Sequence, residues 1–412
     1  MKIVQLNRPV LTKNLEPWRR NLYVIWLAQF IAMIGMNMVV PFLAFFVREL
    51  GVTTEADVIR WSGWVFSGPF FFSFFLTPIW GNLGDRYGRK LMLVRAIVGL
   101  AISQVLIGLS QNVQMLLLLR MLQGAISGFI PAALALVSAN TPEERAGYAL
   151  GVLQTATASG AVIGPVIGGP LADAVGYRWT FFIVAILCAL AGLLVVALVE
   201  DEPVNTRERE TWSALLSNYG YAFRSRSIRL ALSLILICQM ALLMVQPIFA
   251  LYVELLEPNK EYIATAAGVI FSVAGVFMVV SSPWWGKRAD AQGYRTNLAL
   301  AITGAALSCI AQGLATDAYQ LIVFRAVQGF CIGGTLPMLY SYVSRHSELT
   351  RRSGIMGIAS SMTILANVAG PAAGGYLAAH IGLRANFLIA GGCLLAAALF
   401  VWQFLTEPDT TR

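Results

Sequence analysis

The chain contains a series of apolar runs about twenty residues long or longer, and these runs constrain its fold more than any other feature. A helix needs ~20 mostly apolar residues to cross ~30 Å of hydrocarbon, and helices satisfy their own backbone groups there. The runs are two to three times longer than the ~10-residue alternating strands of an outer-membrane barrel. Hydrophobic residues make up 58% of the chain and charged residues only 12%. An all-α membrane protein is therefore predicted.

The apolar runs predict twelve transmembrane helices. The first is too long for the core of a signal peptide and is interpreted as a retained span. The predicted spans are residues 22–47, 61–80, 91–110, 112–138, 148–170, 179–199, 228–253, 262–285, 297–315, 318–343, 353–378 and 385–405.

The basic residues fall mostly on one side of this predicted arrangement. If the N-terminus is cytoplasmic, 22 of the 29 lysines and arginines lie in inner segments and five lie outside. The positive-inside rule therefore predicts a multi-pass membrane protein with both termini in the cytoplasm. Topology accounts for the net charge of +8, so the lipid bilayer is an expected partner and nucleic acid is not.

Three motifs occur twice, in the same order and at nearly the same spacing. Residues 81–90 read GNLGDRYGRK, and residues 286–295 repeat the first and last of their three glycines, the aspartate and the final basic residue 205 positions later. The same offset of 205 separates Arg120 and Arg325, and an offset of 206 separates the GPxxGG segments at 164–169 and 370–375. Such a long period indicates duplication of a whole domain. Two six-helix halves are predicted, residues 1–199 and 228–412, with a cytoplasmic linker at 200–227.

The linker has apolar residues at helical spacing, which suggests an amphipathic helix along the inner membrane face. Its 28 residues are too few to build a core, so a tether is favoured over a regulatory domain. The five cysteines lie singly in different apolar runs, and no disulfide or metal site is expected.

The pattern G-x-L-x-D-R-x-G-R-K at 81–90 resembles the signature loop of the major facilitator superfamily. Arg-x-x-Gln-Gly in span 4 and the glycine motif of span 5 resemble that superfamily's next two motifs. Together with NMVVPFL at 37–43, the set resembles bacterial multidrug and tetracycline-type efflux proteins of the drug:proton antiporter group. The resemblance implies the major facilitator fold, a midplane cavity, alternating access and a place in the inner membrane.

The charged segment at 81–90 is expected to form a cytoplasmic loop whose glycines permit tight turns. The resemblance implies that Asp85 pairs with a basic group or a helix N-terminus and locks the halves together. The alternative is a static surface ion pair of little energetic value. The predicted gating residues are Gly81, Asp85, Arg86, Gly88, Arg89 and Asp290.

Arg120 and Arg325 each lie about 12 Å below the outer surface if their spans are regular helices. A guanidinium at that depth usually faces a cavity or a polar partner, although snorkelling to the interface is an alternative. The predicted coupling and cavity residues are Arg120, Gln123 and Arg325.

Glycines four residues apart in span 5 present a flat face for helix contact, and the same core recurs in span 11. The recurrence leaves inherited packing as an alternative to a role in antiport. The predicted hinge residues are Gly160, Gly164, Pro165, Gly168, Gly370 and Pro371.

Polar residues share helix faces with methionine and aromatic residues in several spans, as the wall of a cavity for an amphipathic ligand requires. Each glutamine among them has an alternative role, a hydrogen bond to a neighbouring helix. The predicted cavity residues are Gln29, Met33, Asn37, Gln239, Gln246 and Phe271.

The leading prediction is a secondary transporter that acts as a monomer and exports drugs, with a small molecule and protons as its expected partners. No ATP-binding loop or nucleophile–base set occurs, so neither an enzyme nor a cofactor is expected. The alternatives are a single-metabolite importer or exchanger and, more remotely, a receptor that does not transport. Antibiotic resistance is the expected phenotype.

None of the 21 acidic residues lies in the middle third of a predicted span. Neutral or anionic amphiphiles are therefore expected as substrates in preference to dications. Any coupling proton is expected on a rim carboxylate, Asp85 or Asp173. The alternative for Asp173 is an ion pair with Arg178 at the outer turn.

Overall fold

The computed structural model describes residues 16–126, 128–200, 212–257, 261–348 and 350–407, except for the side chains at 78, 82, 85 and 212–216. These ranges contain α-helices and one 3-10 helix, Val40–Phe42, and no strand. The α-helices are α1 (Pro17–Met38), α2 (Leu43–Glu49), α3 (Glu55–Tyr87), α4 (Arg89–Gly108), α5 (Val113–Ile126), α6 (Phe129–Asn140), α7 (Glu143–Val175), α8 (Tyr177–Leu198), α9 (Trp212–Arg224), α10 (Arg226–Met244), α11 (Phe249–Leu256), α12 (Ile263–Gln292), α13 (Tyr294–Gly313), α14 (Ala318–Arg345), α15 (Arg352–Ile381) and α16 (Leu383–Phe404).

Within the described ranges, eleven helical segments are long and apolar enough to cross a membrane. The second predicted span is not among them, but α3 occupies its place and extends over 33 residues. It packs along α5 and α15 as part of the same bundle. The all-α membrane fold predicted from the apolar runs is confirmed, and α3 is the twelfth helix consistent with it.

Spans 1 and 7 are not the continuous helices that the sequence predicts. Span 1 breaks after Met38, passes through the 3-10 helix and resumes as α2, whereas span 7 breaks between α10 and α11. Pro41 and Pro247 lie in the two breaks, 206 residues apart. Proline lacks an N–H and clashes with the carbonyl four residues earlier, which ends a regular helix. Span 4 also breaks, at Gly128, which has a φ of 119°.

The prediction of a loop at residues 81–90 is wrong, because α3 continues as a helix to Tyr87 and α4 begins at Arg89. Only Gly88 makes the turn, with a φ of 104° that favours glycine. Gly293 makes the equivalent turn between α12 and α13 with a φ of 90°. Gly81 lies on the exposed surface of α3, with no atom within 4 Å of the position a Cβ would occupy.

The helices form two sets that pack mainly among themselves. In the first set, α1 packs against α7 and α8, and α4 against α8; in the second, α10 packs against α15 and α13 against α14 and α16. The pairs α3–α15 and α7–α12 join the two sets. This packing is compatible with halves at 1–199 and 228–412, but that division stays a prediction.

The C-terminal part of the predicted linker forms α9, whereas residues 201–211 lie outside the described ranges. α9 packs against α10 and α15. The Nη1 atom of Arg351 donates to the Ser217 hydroxyl at 3.1 Å, and its guanidinium lies 5.1 Å from the Tyr221 ring centre. The linker is thus attached to the second set of helices at the N-terminal end of α15.

Candidate functional site

A cavity of about 460 Å³ lies between the two sets of helices. Nine α-helices contribute to its wall: α1, α3, α5, α6, α7, α10, α12, α14 and α15. Most of the wall is apolar, with methionine and phenylalanine side chains prominent: Met33, Met36, Phe66, Phe70, Phe271 and Met278. Flexible thioethers and aromatic rings can adapt to ligands of different shape.

Arg120 and Arg325 both line this cavity, together with the glutamine that follows each by three residues. Nη1 of Arg120 donates to Oε1 of Gln123 at 3.0 Å, and Nη1 of Arg325 donates to Oε1 of Gln328 at the same distance. The structure places Arg120, Gln123 and Arg325 on the wall of one cavity, and their role in coupling stays a prediction.

The two arginines differ in what surrounds them. Arg325 also donates from Nη2 to the carbonyl of Phe271 at 2.9 Å. Its guanidinium carbon lies 4.5 Å from the ring centre of Phe249 and 4.9 Å from that of Phe271. Cation–π contacts of this kind stabilise a desolvated arginine. Arg120 has no ring over its guanidinium among the described residues.

Four of the six predicted cavity residues, Met33, Asn37, Gln246 and Phe271, lie on the cavity wall. Gln29 does not. Its side chain is buried between α1 and α7, where Nε2 donates to the Thr157 hydroxyl at 2.6 Å and to the carbonyl of Leu153 at 3.4 Å. The interhelical hydrogen bond, which the sequence offers as the alternative role, is the arrangement found.

Gln239 lines a second cavity of about 460 Å³, bounded by α7, α10, α12 and α14. Leu242, Met278 and Ile332 line both cavities, so the two are neighbours. The second cavity involves the part of α7 around Gln154, which is nearer the predicted cytoplasmic face. The space between the two sets of helices therefore continues toward that face.

Sequence reasoning missed Gln328 and Asn367, which also line the central cavity. Gln328 is the repeat counterpart of Gln123, so carrying that prediction across the duplication would have found it. Asn367 is a polar residue within an apolar run, and its amide donates to the carbonyl of Thr363 at 2.8 Å. Apart from that polarity, nothing in the sequence predicts that Asn367 faces the cavity.

At the predicted outer face, Asp173 at the end of α7 holds the first turn of α12. Its carboxylate accepts from the backbone N–H of Ala264 at 3.3 Å, the N–H of Thr265 at 2.7 Å and the Thr265 hydroxyl at 2.6 Å. The predicted alternative of an Asp173–Arg178 pair is wrong, since Nε of Arg178 donates to Glu49 at 3.0 Å. The first N–H groups of α12 have no acceptor within the helix, and Asp173 accepts from two of them.

A second contact at this face joins Arg48 on α2 to Glu254 on α11. The two guanidinium Nη atoms donate to the two carboxylate oxygens, each at 3.0 Å. A bidentate arginine–carboxylate pair fixes both distance and orientation. Together with the Asp173 contact, it closes the predicted outer end of the space between the two sets of helices.

The hinge glycines mark close contacts between helices. A Cβ on Gly160 would lie 2.5 Å from the Met33 Cβ, and one on Gly164 would lie 2.7 Å from the Asn37 Cβ. A Cβ on Gly168 would overlap the carbonyl of Met38, where α1 ends. In α15, Gly370 and Gly374 approach α10 in the same way. Pro165 and Pro371 lie inside continuous helices.

The second glycine of each Gly-Gly pair faces the other set of helices. A Cβ on Gly169 would overlap the carbonyl of Ala264 on α12, and one on Gly375 would lie 2.8 Å from the Gly63 Cα on α3. The first glycine of each pair, in contrast, packs within its own set. One motif thus serves two interfaces.

Gly81, Asp85 and Arg86 lie near the predicted cytoplasmic end of α3, with the Asp85 side chain outside the described part, and Gly88 and Arg89 follow at the start of α4, whereas Asp290 lies near the predicted cytoplasmic end of α12. Arg89 donates to the carbonyl of Ala135 at 3.4 Å, and Arg86 is exposed beside Tyr87. Asp290 accepts from the Tyr294 hydroxyl at 2.8 Å and from Arg345 at 2.7 Å. Both partners of Asp290 belong to its own set of helices.

The sequence matches the model of the Major Facilitator Superfamily over residues 25–261 and 259–412. The chain belongs to the major facilitator superfamily. It is therefore a membrane transporter of small molecules and not an enzyme. Multidrug resistance protein MdtG of Salmonella arizonae is 37% identical over 397 residues, covering 94% of this chain and 96% of that protein. MdtG of Escherichia coli is 36% identical over 393 residues, covering 94% and 95%.

Solved structures of the superfamily share the fold. The crystal structure of nucleoside transporter NupG superposes with a TM-score of 0.78 at 13% identity, covering 92% of this chain and 98% of that one. At this identity the likeness concerns the major facilitator fold alone. Transporters built from such repeats hold their substrates at the interface between the repeats, and the central cavity lies between the two sets of helices.

Proposed function

We propose that this transporter is a proton-coupled exporter of amphipathic small molecules in the bacterial inner membrane. The observation that carries the proposal is its 37% identity, over 94% of the chain, to a protein named for multidrug resistance. The cavity supports it, because its wall is largely apolar and flexible with a few polar groups among the methionine and phenylalanine side chains.

Transport proceeds by alternating access, in which residues 1–199 and 228–412 move as two halves joined by 200–227. The conformer described here is closed at the predicted outer end by Asp173 and by the Arg48–Glu254 pair. Its cavity continues toward the predicted cytoplasmic face. Gly160, Gly164 and Gly168 of α7 pack closely on α1, and Gly370 of α15 packs on α10, which keeps each half rigid as it moves. The carbonyls of Pro165 and Pro371 lie against Gly268 and Gly63 of the other half.

The proposed topology places both termini in the cytoplasm, and single cysteines test it. In a chain whose five native cysteines are replaced by alanine, Gln292→Cys lies at the end of α12 and Asn82→Cys in the last turns of α3. Membrane-impermeant thiol reagents should label both only after the inner face is made accessible. Labelling of either in intact cells would overturn the topology.

Asp85 and Asp290 are the proposed cytoplasmic gate. In the present conformer Asp290 contacts Tyr294 and Arg345 of its own half and is 58% exposed, which leaves it available to a new partner when the cytoplasmic ends approach. Asp85 is the counterpart of Asp290 in the duplication, so Asp85→Asn is expected to reduce transport while leaving the detergent melting temperature unchanged. A parallel fall in both would make Asp85 a structural residue.

The coupling proton is proposed to reside on Asp85. None of the described residues that line the central cavity is acidic or a histidine, so the cavity wall offers no ordinary proton carrier. Asp173 is already engaged by three donors of α12. In proteoliposomes, Asp85→Asn should flatten the response of efflux to a pH gradient, whereas a full response would exclude it as the carrier.

The decisive test is efflux from a host that lacks its own pumps. The protein, which is proposed to act as a monomer, is expressed in this host. The cells are then challenged with dyes, antibiotics, bile salts and organic acids. Resistance to several unrelated compounds supports the proposal. Uptake of one solute, with no resistance to any compound, would instead identify a single-metabolite importer or exchanger on the same fold.

A further inference from the structure

The central cavity contains two cationic side chains that come from equivalent positions of the duplication. Arg120 lies on α5 and Arg325 on α14, and both line the same cavity of about 460 Å³. Arg325 is only 7% exposed. Guanidinium remains protonated in proteins, so the cavity has two positive charges.

These two charges have no acidic counterpart among the described residues. The cavity wall includes no aspartate or glutamate, and neither arginine forms an ion pair within the described part of the chain. Their hydrogen-bond partners are a glutamine oxygen for each and one backbone carbonyl for Arg325. A buried charge that is not neutralised by the protein is costly, and an anionic ligand removes that cost.

Donors also remain free. Each guanidinium has five N–H groups, yet with the described residues Arg120 makes one hydrogen bond and Arg325 makes two. The Nε atoms of both are buried without a partner, as is Nε2 of Gln123. Arg325 is additionally held between the rings of Phe249 and Phe271. Arg120 is therefore the more available of the two for a ligand.

We propose that the cavity binds anionic amphiphiles, with the carboxylate, sulfonate or phosphonate group on Arg120. Arg325 contributes its positive charge, and the apolar part of the ligand packs on Met33, Met36 and Phe66. This proposal rests on the proposed transport function and adds the substrate class. It does not depend on the direction of transport.

The test compares three ligands with one ring system and different charge: naphthalenesulfonate, naphthalenemethanol and naphthylmethyl-trimethylammonium. Binding to the purified protein is measured by calorimetry in nanodiscs of uncharged lipid, so that no lipid anion competes. Hydrogen bonds to charged groups contribute enough to change Kd about 10- to 100-fold. The anion is expected to bind more tightly than either of the others by that factor.

Variants assign the preference to a residue. Arg120→Gln should remove the preference for the anionic ligand, and Arg325→Gln should reduce it less. Arg120→Lys should retain part of this preference because the charge remains. Arg95→Gln is a matched control, since Arg95 also has buried, unpartnered guanidinium nitrogens but lies over Trp80, outside the central cavity. Thermal unfolding shows that each variant is folded before binding is compared.

Equal binding of the three ligands by the unchanged protein would overturn the anion site. A preference that survives Arg120→Gln, or that Arg95→Gln abolishes equally, would do so as well. Cellular efflux of the cationic ligand, measured separately, distinguishes the two proposals. If the protein exports that cation and binds it most tightly, the transport function stands and the anion site fails.

Discussion

Asp173 is the side chain whose removal should open the end of the cavity that is predicted to face outward, called the outer end below. It lies in the last turns of α7, in one set of helices, and accepts three hydrogen bonds from Ala264 and Thr265 of α12, in the other. The first N–H groups of a helix have no partner within the helix and carry partial positive charge. Asp173→Ala leaves those groups without their acceptor whenever the outer end is closed.

The size of the effect follows from the hydrogen bonds that this substitution removes. Removal of a capping side chain costs about 0.5–2 kcal/mol, and hydrogen bonds to a charged group contribute about 1.5–3 kcal/mol. Because these bonds exist only when the two sets of helices meet, the destabilisation falls on the outward-closed conformer. A loss of about 2 kcal/mol lowers the closed-to-open ratio about 30-fold. A ratio of about 99 to 1 then becomes about 3 to 1.

Spin labels measure this ratio directly. Ala56→Cys, in the first turn of α3, and Tyr319→Cys, in the first turn of α14 and 80% exposed, report the separation of the outer ends in a chain without other cysteines. Asp173→Ala should add a population at longer distance in nanodiscs. Thr54→Ala is the control, because Thr54 caps its own helix by accepting from the N–H of Asp57 at 3.3 Å.

The control loses a cap of similar strength in both conformers, so its distance distribution should not change. An unchanged distribution in Asp173→Ala would refute the reasoning. An equal shift in Thr54→Ala would also refute it, because the effect would then reflect general loosening of helix ends.

Three further outcomes are expected, at the contacts between the two sets of helices and at the α1–α7 contact within the first set. Arg48→Glu and Glu254→Arg should each open the outer end, because either change places like charges together, and the double variant should close it again. A double-mutant cycle measured by spin labelling should give a coupling of about 1 kcal/mol. Gly169→Ala should open the outer end at unchanged melting temperature, because its Cβ would meet α12, whereas Gly168→Ala should lower the melting temperature by clashing with α1. Gln29→Ala should lower stability by about 1–3 kcal/mol, measured by thermal unfolding, and leave ligand affinity unchanged.

The sequence predicts the membrane fold well because the length of an apolar run follows directly from bilayer thickness. It does not predict the breaks in spans 1 and 7. Proline also occurs inside α7 and α15, which continue past Pro165 and Pro371. A proline leaves one carbonyl of the preceding turn without its N–H donor. Whether a membrane helix ends there or continues depends on which neighbouring group satisfies that carbonyl. At the end of α1, the carbonyl of Met38 lies against Gly168 of α7, which is 130 residues away in the chain.

The cavity is partly predictable for a similar reason. Arg120 and Arg325 are too costly to face lipid, so their types and positions already indicate a polar interior. Gln29 and Asp173 have no such constraint, because an amide or a rim carboxylate has many acceptable partners. Which partner each takes depends on how α7 packs against α1 and α12. That packing is a tertiary property that residue type and spacing do not determine.

The duplication explains why Arg48 and Glu254 have opposite charges. They are 206 residues apart, the offset that also separates Gly164 from Gly370, so they occupy equivalent positions. α2 and α11 contact each other, which places both beside the pseudo-two-fold axis that relates the repeats. A residue beside such an axis meets its own counterpart, and two like charges would repel there. The opposite signs instead form a bidentate ion pair at the predicted outer end. Arg120 and Arg325 have the same sign, which concentrates positive charge in the central cavity.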